Sequence, residues 1–219
     1  MQTDRKRSRD RAPDFDCCEG RDLLSTLVFV LNGNGYADAG PSILTADAAR
    51  VLRQAGERPI QLSYPALATP AAVAGVAAEM RALSHGQPFG IVGFSAGGSL
   101  ALRLAEIPSL HVVDVLNDYG PPDLKDFLAD HHGDGHARFV TGHTRFTRAG
   151  LNFLSGPGKT SAHLVSAFGL TDLNTLAPQS TASFLRDFPQ GKVYDYPGHH
   201  GVSISACPAA LDDFLAHLG

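Results

Sequence analysis

The sequence predicts an α/β fold, a mostly parallel sheet with helices on both faces, and three observations support it. From residue 22 onward, short β-prone apolar runs alternate with longer Ala- and Leu-rich stretches at helical spacing, the pattern of strand and crossover helix. The first run, Leu24 to Leu31 (LSTLVFVL), ends in five apolar residues without alternation, as expected of a strand covered on both faces. The chain has 219 residues, 43% of them hydrophobic and 18% charged, which suits one domain with a sizeable core.

The elements follow in order. The strand from Leu24 to Leu31 runs into Asn32-Gly33-Asn34-Gly35, and Thr45 to Ala55 carries helical spacing with Thr45 as N-cap and Gly56 as terminator. Pro59 to Tyr64 reads as the next strand, and Pro70 to Ser84 as a helix with proline in its first turn. Phe89 to Phe94 is a strand leading directly into Ser95, with a helix from Ala96 to Ala105 after it. Leu110 to Leu116 (LHVVDVL) is again strand-like. Tyr119 to Lys159 is rich in His and Gly with weak periodicity, and reads as a small cap inserted over the site. Strands at His163 to Phe168 and Val193 to Tyr196 flank a helix from Ser180 to Phe188, and Pro208 to Leu218 forms the last helix. No internal repeat interrupts the series.

Charge and cysteine content exclude several classes. The net charge of −4 offers no broad basic field, so neither nucleic acid nor a membrane surface is expected as partner. Arg5, Lys6, Arg7, Arg9 and Arg11 crowd the start against Asp4 and Asp10, which predicts a solvated, disordered tail over residues 1–21 and one domain over 22–219. No signal-peptide h-region follows the tail, and Leu27 to Leu31 is too short to span a bilayer; a soluble cytoplasmic protein is expected. Cys17, Cys18 and Cys207 fit neither a disulfide framework nor a zinc site, and are expected to stay reduced. His131, His132, His136 and His143 lie in a Gly-rich polar stretch that accounts for them without a ligand, so no metal and no cofactor is expected.

The chemistry concentrates at Gly93-Phe94-Ser95-Ala96-Gly97. A serine hydroxyl is a weak nucleophile at neutral pH and needs a base for its proton and donors for the oxyanion that forms on attack. In Gly-x-Ser-x-Gly the glycines allow a tight strand-to-helix turn that lifts the serine oxygen above the sheet at a helix N-terminus. Here a β-prone run precedes the motif and an apolar helical stretch follows it, the context that the motif requires.

Phe89 to Ala101 (FGIVGFSAGGSLA) resembles the nucleophile elbow of α/β-hydrolases, most closely that of the thioesterases of polyketide and nonribosomal peptide biosynthesis, with Phe94 where those enzymes carry His or Tyr. The resemblance spans Leu24 to Leu215 but rests on short motifs. It implies Ser95 as nucleophile and a base in the loop after the last strand. There Pro197-Gly198-His199-His200 matches the family's Pro-Gly-x-His and points to His200, with His199 at the variable position. The acid is Asp172, in a Gly-x-x-Asp turn at Gly169 to Asp172, or alternatively Asp118, at the place used by many thioesterase domains embedded in synthases. Asn32 to Gly35 resembles the family's His-Gly-x-Gly, which implies the Asn34 amide as oxyanion donor beside that of Ala96.

The function so implied is a serine hydrolase that cleaves a thioester through an acyl-enzyme on Ser95. The acyl or polyketide chain would arrive on an acyl carrier protein or on coenzyme A. The same triad serves a carboxylesterase, or an enzyme that passes the acyl group to a substrate nucleophile by transfer or cyclisation. From a different class, a non-catalytic relative would bind a small molecule in the same pocket.

Overall fold

Leu27–Leu31 (LVFVL) has no polar position, and a strand accommodates that only when both of its faces are covered. In the computed structural model, which describes residues 25–33, 41–64, 70–132 and 148–218, this segment is β1, and all five of its residues are buried. Leu27, Phe29 and Leu31 face one half of the core, and Val28 and Val30 the other, as the two-residue period of a strand requires. The remaining strands are β2 (Arg58–Leu62), β3 (Phe89–Phe94), β4 (Val112–Asp118), β5 (His163–Gly169) and β6 (Lys192–Tyr196). They form one six-stranded sheet in the order β2-β1-β3-β4-β5-β6, and every pairing is parallel.

Among the described residues the α-helices are α1 (Ile43–Gln54), α2 (Pro70–Ser84), α3 (Ala96–Leu104), α4 (Leu124–Asp130), α5 (Arg148–Phe153), α6 (Ala177–Asp187) and α7 (Pro208–Ala216). α2, α3 and α6 cover the face of Phe29 and Ile91, packing Val73, Met80, Leu100 and Phe184 against it. α1 and α7 cover the other face with Ala48, Leu52, Leu211 and Phe214. Each Val, Leu, Met or Phe side chain among them removed from water contributes about 1.5–3 kcal/mol, and the two apolar layers hold the end of the sheet that carries the site.

Several boundaries differ from the sequence expectation. Ser42, not Thr45, caps α1: the Ser42 hydroxyl accepts from the Thr45 N–H while the Thr45 side chain accepts from the Ser42 N–H, a capping box that places Thr45 inside the helix. Leu110 closes a 3₁₀ turn, Pro108–Leu110, so β4 starts later and reaches Asp118. α6 begins at Ala177 because Pro178 suits its first turn. The tail expected over residues 1–21 lies outside the described residues, as do residues 133–147 of the cap. The described remainder of 119–159 contains α4 and α5, and its first residue, Tyr119, is buried in the apolar layer beside Phe94. Among the described residues no helix is long and apolar enough to cross a membrane.

Because the strands are parallel, the loops that follow β3, β4, β5 and β6 emerge at one edge of the sheet. Ser95, Asp118, Asp172 and His200 all belong to that edge.

Candidate active site

Ser95 joins β3 to α3 with φ 50° and ψ −123°, a strained backbone for a residue with a side chain. Its neighbours impose the turn. A Cβ on Gly93 would lie 2.3 Å from the Gly97 carbonyl oxygen, and one on Gly97 would lie 2.3 Å from that of Asn32; both positions must be glycine for the turn to close. The Ser95 N–H donates to the Asp118 carbonyl at 3.0 Å, and the Ser95 carbonyl accepts from Gly98 at 2.8 Å. The hydroxyl is thereby held at the N-terminal end of α3, and Ala96, as first residue of the helix, has an N–H that precedes the first intrahelical acceptor.

His200 Nε2 lies 3.0 Å from Ser95 Oγ, and His200 Nδ1 lies 2.9 Å from Asp172 Oδ2. The Asp172 side chain is fully buried, and its Oδ1 accepts from the backbone N–H groups of Asn174 at 2.7 Å and Thr175 at 3.0 Å. With the carboxylate as acceptor, His200 Nδ1 carries the hydrogen and Nε2 presents its lone pair to the serine. The loops bearing the two residues are bound to each other: Thr171 donates to the Gly198 carbonyl through its N–H at 2.9 Å and its hydroxyl at 2.7 Å, and Leu170 N–H donates to Tyr196. His199 is exposed, and its Nδ1 donates to the His200 carbonyl at 2.8 Å.

Asp118, the other candidate acid, ends β4 opposite Phe94 and Ala167. Its side chain is buried, and among the described residues no hydrogen bond joins it to His200. Burial first, and then the negative charge of Asp172, push its carboxyl well above the usual carboxylate range. The structure therefore pairs the imidazole with Asp172 and leaves Asp118 as a second buried carboxyl at the same end of the sheet.

One residue at this edge escaped the sequence reading, which put it in the cap. Tyr119 has φ 46° and its ring lies 4.4 Å from that of His200. Its N–H donates to Ala167 at 2.8 Å, and its carbonyl accepts from the Thr175 hydroxyl at 2.9 Å. The Asn117 side chain bridges the N–H and the carbonyl of Gly120 and fixes the turn. The signal in the sequence was Asn117-Asp118-Tyr119-Gly120, a turn composition directly after an apolar strand.

Gly33 abuts the nucleophile, since a Cβ there would lie 3.3 Å from Ser95 Cβ. Asn34, the expected second oxyanion donor, lies outside the described residues. Asn32 is buried; its side-chain oxygen accepts from Gly33 N–H and the Ser42 hydroxyl, and its carbonyl accepts from Tyr64. Asn32, Gly33, Pro41, Ser42, Ile43, Leu44, Phe94 and Tyr119 line a pocket that opens on Ser95 and His200 and measures about 1070 Å³, counting space open to solvent. Of the cap histidines, His131 is buried and packs on Phe127, while His136 and His143 lie outside the described residues. Among the described residues, the cluster with metal-ligand spacing is Asp114, His163 and His217, at the opposite end of the sheet.

No family model matches the chain, and no curated protein matches it in sequence. Solved structures do match in three dimensions. An esterase of Pyrococcus furiosus superposes with TM-score 0.62 at 16% identity, over 89% of this chain and 84% of that one. A structure from a study of carboxylesterases of the thaumarchaeon Nitrososphaera gargenis gives TM-score 0.57 at 14% identity, over 89% and 90%. Mouse alpha/beta hydrolase domain-containing protein 10 gives 0.62 at 15%, over 88% and 90%. With the all-parallel six-stranded sheet covered by helices on both faces, these likenesses establish that the chain has the α/β-hydrolase fold.

Proposed function

We propose that this protein is a serine hydrolase of carboxylic esters. The observation that carries the proposal is the unbroken line from Ser95 Oγ through His200 to Asp172, at 3.0 and 2.9 Å, opening on a pocket. In this reading His200 Nε2 takes the Ser95 proton as Oγ attacks the ester carbonyl, and Asp172 holds the imidazole through Nδ1–H. The Ala96 and Asn34 amides receive the oxyanion. Collapse breaks the acyl–oxygen bond, and the leaving alcohol takes the proton from His200. Water then repeats the sequence on the acyl-enzyme and releases the acid. The esterases among the structural neighbours support the ester as substrate, and the pocket supports an uncharged acyl group: Pro41, Ile43, Leu44, Phe94 and Tyr119 wall it, and among the described lining residues there is no Asp, Glu, Lys or Arg.

A second reading, thioester hydrolysis on an acyl carrier protein or coenzyme A, draws on the resemblance of Phe89 to Ala101 and on Asp118, which stands where embedded thioesterase domains carry their acid. The same acyl-enzyme serves both. Intact mass spectrometry after treatment with a fluorophosphonate, on the protein and on Ser95→Ala, tests the common part: labelling of the former alone is expected. Comparing kcat/KM for p-nitrophenyl acyl esters with that for acyl-coenzyme A thioesters of equal chain length then decides the bond. An unlabelled, folded protein would defeat the hydrolase reading and leave a binding pocket.

A further inference from the structure

We propose that Tyr119 is a positioning residue of the reaction centre, whose ring braces the His200 imidazole and favours the charged form that arises when Ser95 gives up its proton. The inference rests on the hydrolase reading above and adds a residue to it. The Tyr119 and His200 ring centroids are 4.4 Å apart with planes inclined at 57°, inside the roughly 6 Å from a ring centroid within which a cation is attracted to the ring. The same ring lies 5.9 Å from that of Phe94, the residue preceding the nucleophile, and Tyr119 as a whole is 1% exposed. It cannot swing into solvent, so the contact with His200 is fixed before any substrate arrives.

The backbone supports the same conclusion. Tyr119 sits at φ 46°, in the left-handed region that favours glycine, although Gly120 is the next residue. A large aromatic side chain stands at this strained position, which points to a use for the ring. Thr175 links that position to the acid: its N–H donates to Asp172 Oδ1 and its hydroxyl to the Tyr119 carbonyl. The acid and the ring are therefore held against the imidazole by one residue.

Asp172 meets the imidazole at Nδ1 and Ser95 meets it at Nε2, both at the ring edge. Tyr119 adds a contact from an aromatic ring inclined to the imidazole plane. Packing of this kind holds neutral and charged imidazole alike, but the attraction to the ring quadrupole acts only on the charged form. It is therefore stronger in the transition state than in the resting enzyme, the condition for an interaction to raise the rate.

The experiment replaces Tyr119 in the full chain by Phe, then by Phe fluorinated stepwise to the pentafluoro derivative, and separately by Leu. The rate of Ser95 labelling by a fluorophosphonate is followed against pH, with a melting temperature for each variant. Tyr119→Phe should stay within about threefold of the parent, because the ring face is kept. Fluorination preserves the shape and drains the face. It should move the acid limb of the labelling profile to lower pH by about half a unit or more and lower the plateau about three- to tenfold. Tyr119→Leu should lose about tenfold or more, and if it fails to fold, the fluorinated series decides. A flat series on a protein that labels at Ser95 overturns the role of Tyr119 alone. A protein that does not label at Ser95 overturns the hydrolase reading and this inference with it.

Discussion

The two ends of the sheet hold nearly the same ingredients. At the C-terminal ends of the strands, His200 bonds Asp172 at 2.9 Å beside a second buried carboxyl, Asp118. At the N-terminal ends, His163, first in β5, bonds Asp114 of β4 at 3.1 Å, with Asp213, Lys192 and His217 around the pair. What differs is the environment. Asp172 receives two backbone N–H donors besides the imidazole, and His200 Nε2 faces a serine on a strained turn at the mouth of a pocket. His163 Nε2 instead faces Asp213 at 3.5 Å, and its ring is stacked on His217 at 3.7 Å and 16°. Stacked rings run their in-plane lone pairs side by side, so the two imidazoles as placed do not converge on a metal. A histidine–aspartate pair is thus a structural tie at one end and a candidate base at the other; the nucleophile, the backbone donors and the cavity make the difference.

The sharpest test of the comparison lies within the candidate site, between its two carboxyls. Asp172→Asn should lower kcat on the order of 10⁴-fold, since the amide cannot hold the tautomer that His200 needs. Asp118→Asn should change kcat by less than about threefold, because the amide keeps the shape of a carboxyl that, among the described residues, makes no hydrogen bond to His200. Steady-state kinetics on both variants decides. A large loss in Asp118→Asn with the fold intact would mean that Asp118, not Asp172, serves the imidazole.

Much of this was legible in the sequence because it rests on local rules. Gly93-Phe94-Ser95-Ala96-Gly97 announces its turn through glycines that nothing larger can replace, and LVFVL announces a strand covered on both faces. Asp118 and Asp172 could not be separated that way, since each follows an apolar run and only the packing of the loops after β5 and β6 brings one of them to His200. Tyr119 was hidden for a related reason: its role depends on a backbone angle and a ring contact across strands, neither of which has a periodic signature. The boundaries of α1, β4 and α6 moved because Ser42, Pro108 and Pro178 set caps and turns that outweigh the apolar pattern.

At the opposite end of the sheet, His163→Ala should leave kcat/KM within about twofold of the parent, for the pair touches no part of the pocket. It should instead cost about 1–3 kcal/mol of stability, because Asp114, fully buried, loses its imidazole partner. Urea unfolding beside an activity assay measures both. Loss of activity without loss of stability would show that the two ends are coupled and that the structural assignment of this pair is wrong.

The smallest effect concerns pH and follows from the same buried carboxyl. Burial, with the nearby charge of Asp213, raises Asp114 to about 8, against the opposing Val115 N–H and Lys192. Burial, and then His217, lowers His163 from its usual value. The two act on stability with opposite signs. Below about pH 6.5 the unfolded chain gains a proton on His163 that the folded one resists, so this group makes stability rise with pH; between about pH 3.8 and 8 the folded chain keeps a proton on Asp114 that the unfolded one releases, so this group makes stability fall with pH. Between about 6.5 and 8 only the second effect remains for this pair, with a slope of at most about 1.4 kcal/mol per pH unit. Asp114→Asn removes it. The parent should therefore lose up to about 2 kcal/mol between pH 6.5 and 8.0 that the variant does not lose; equal slopes for the two in urea unfolding would mean that Asp114 is already ionised in the folded protein, and that the two ends of the sheet differ less than their surroundings suggest.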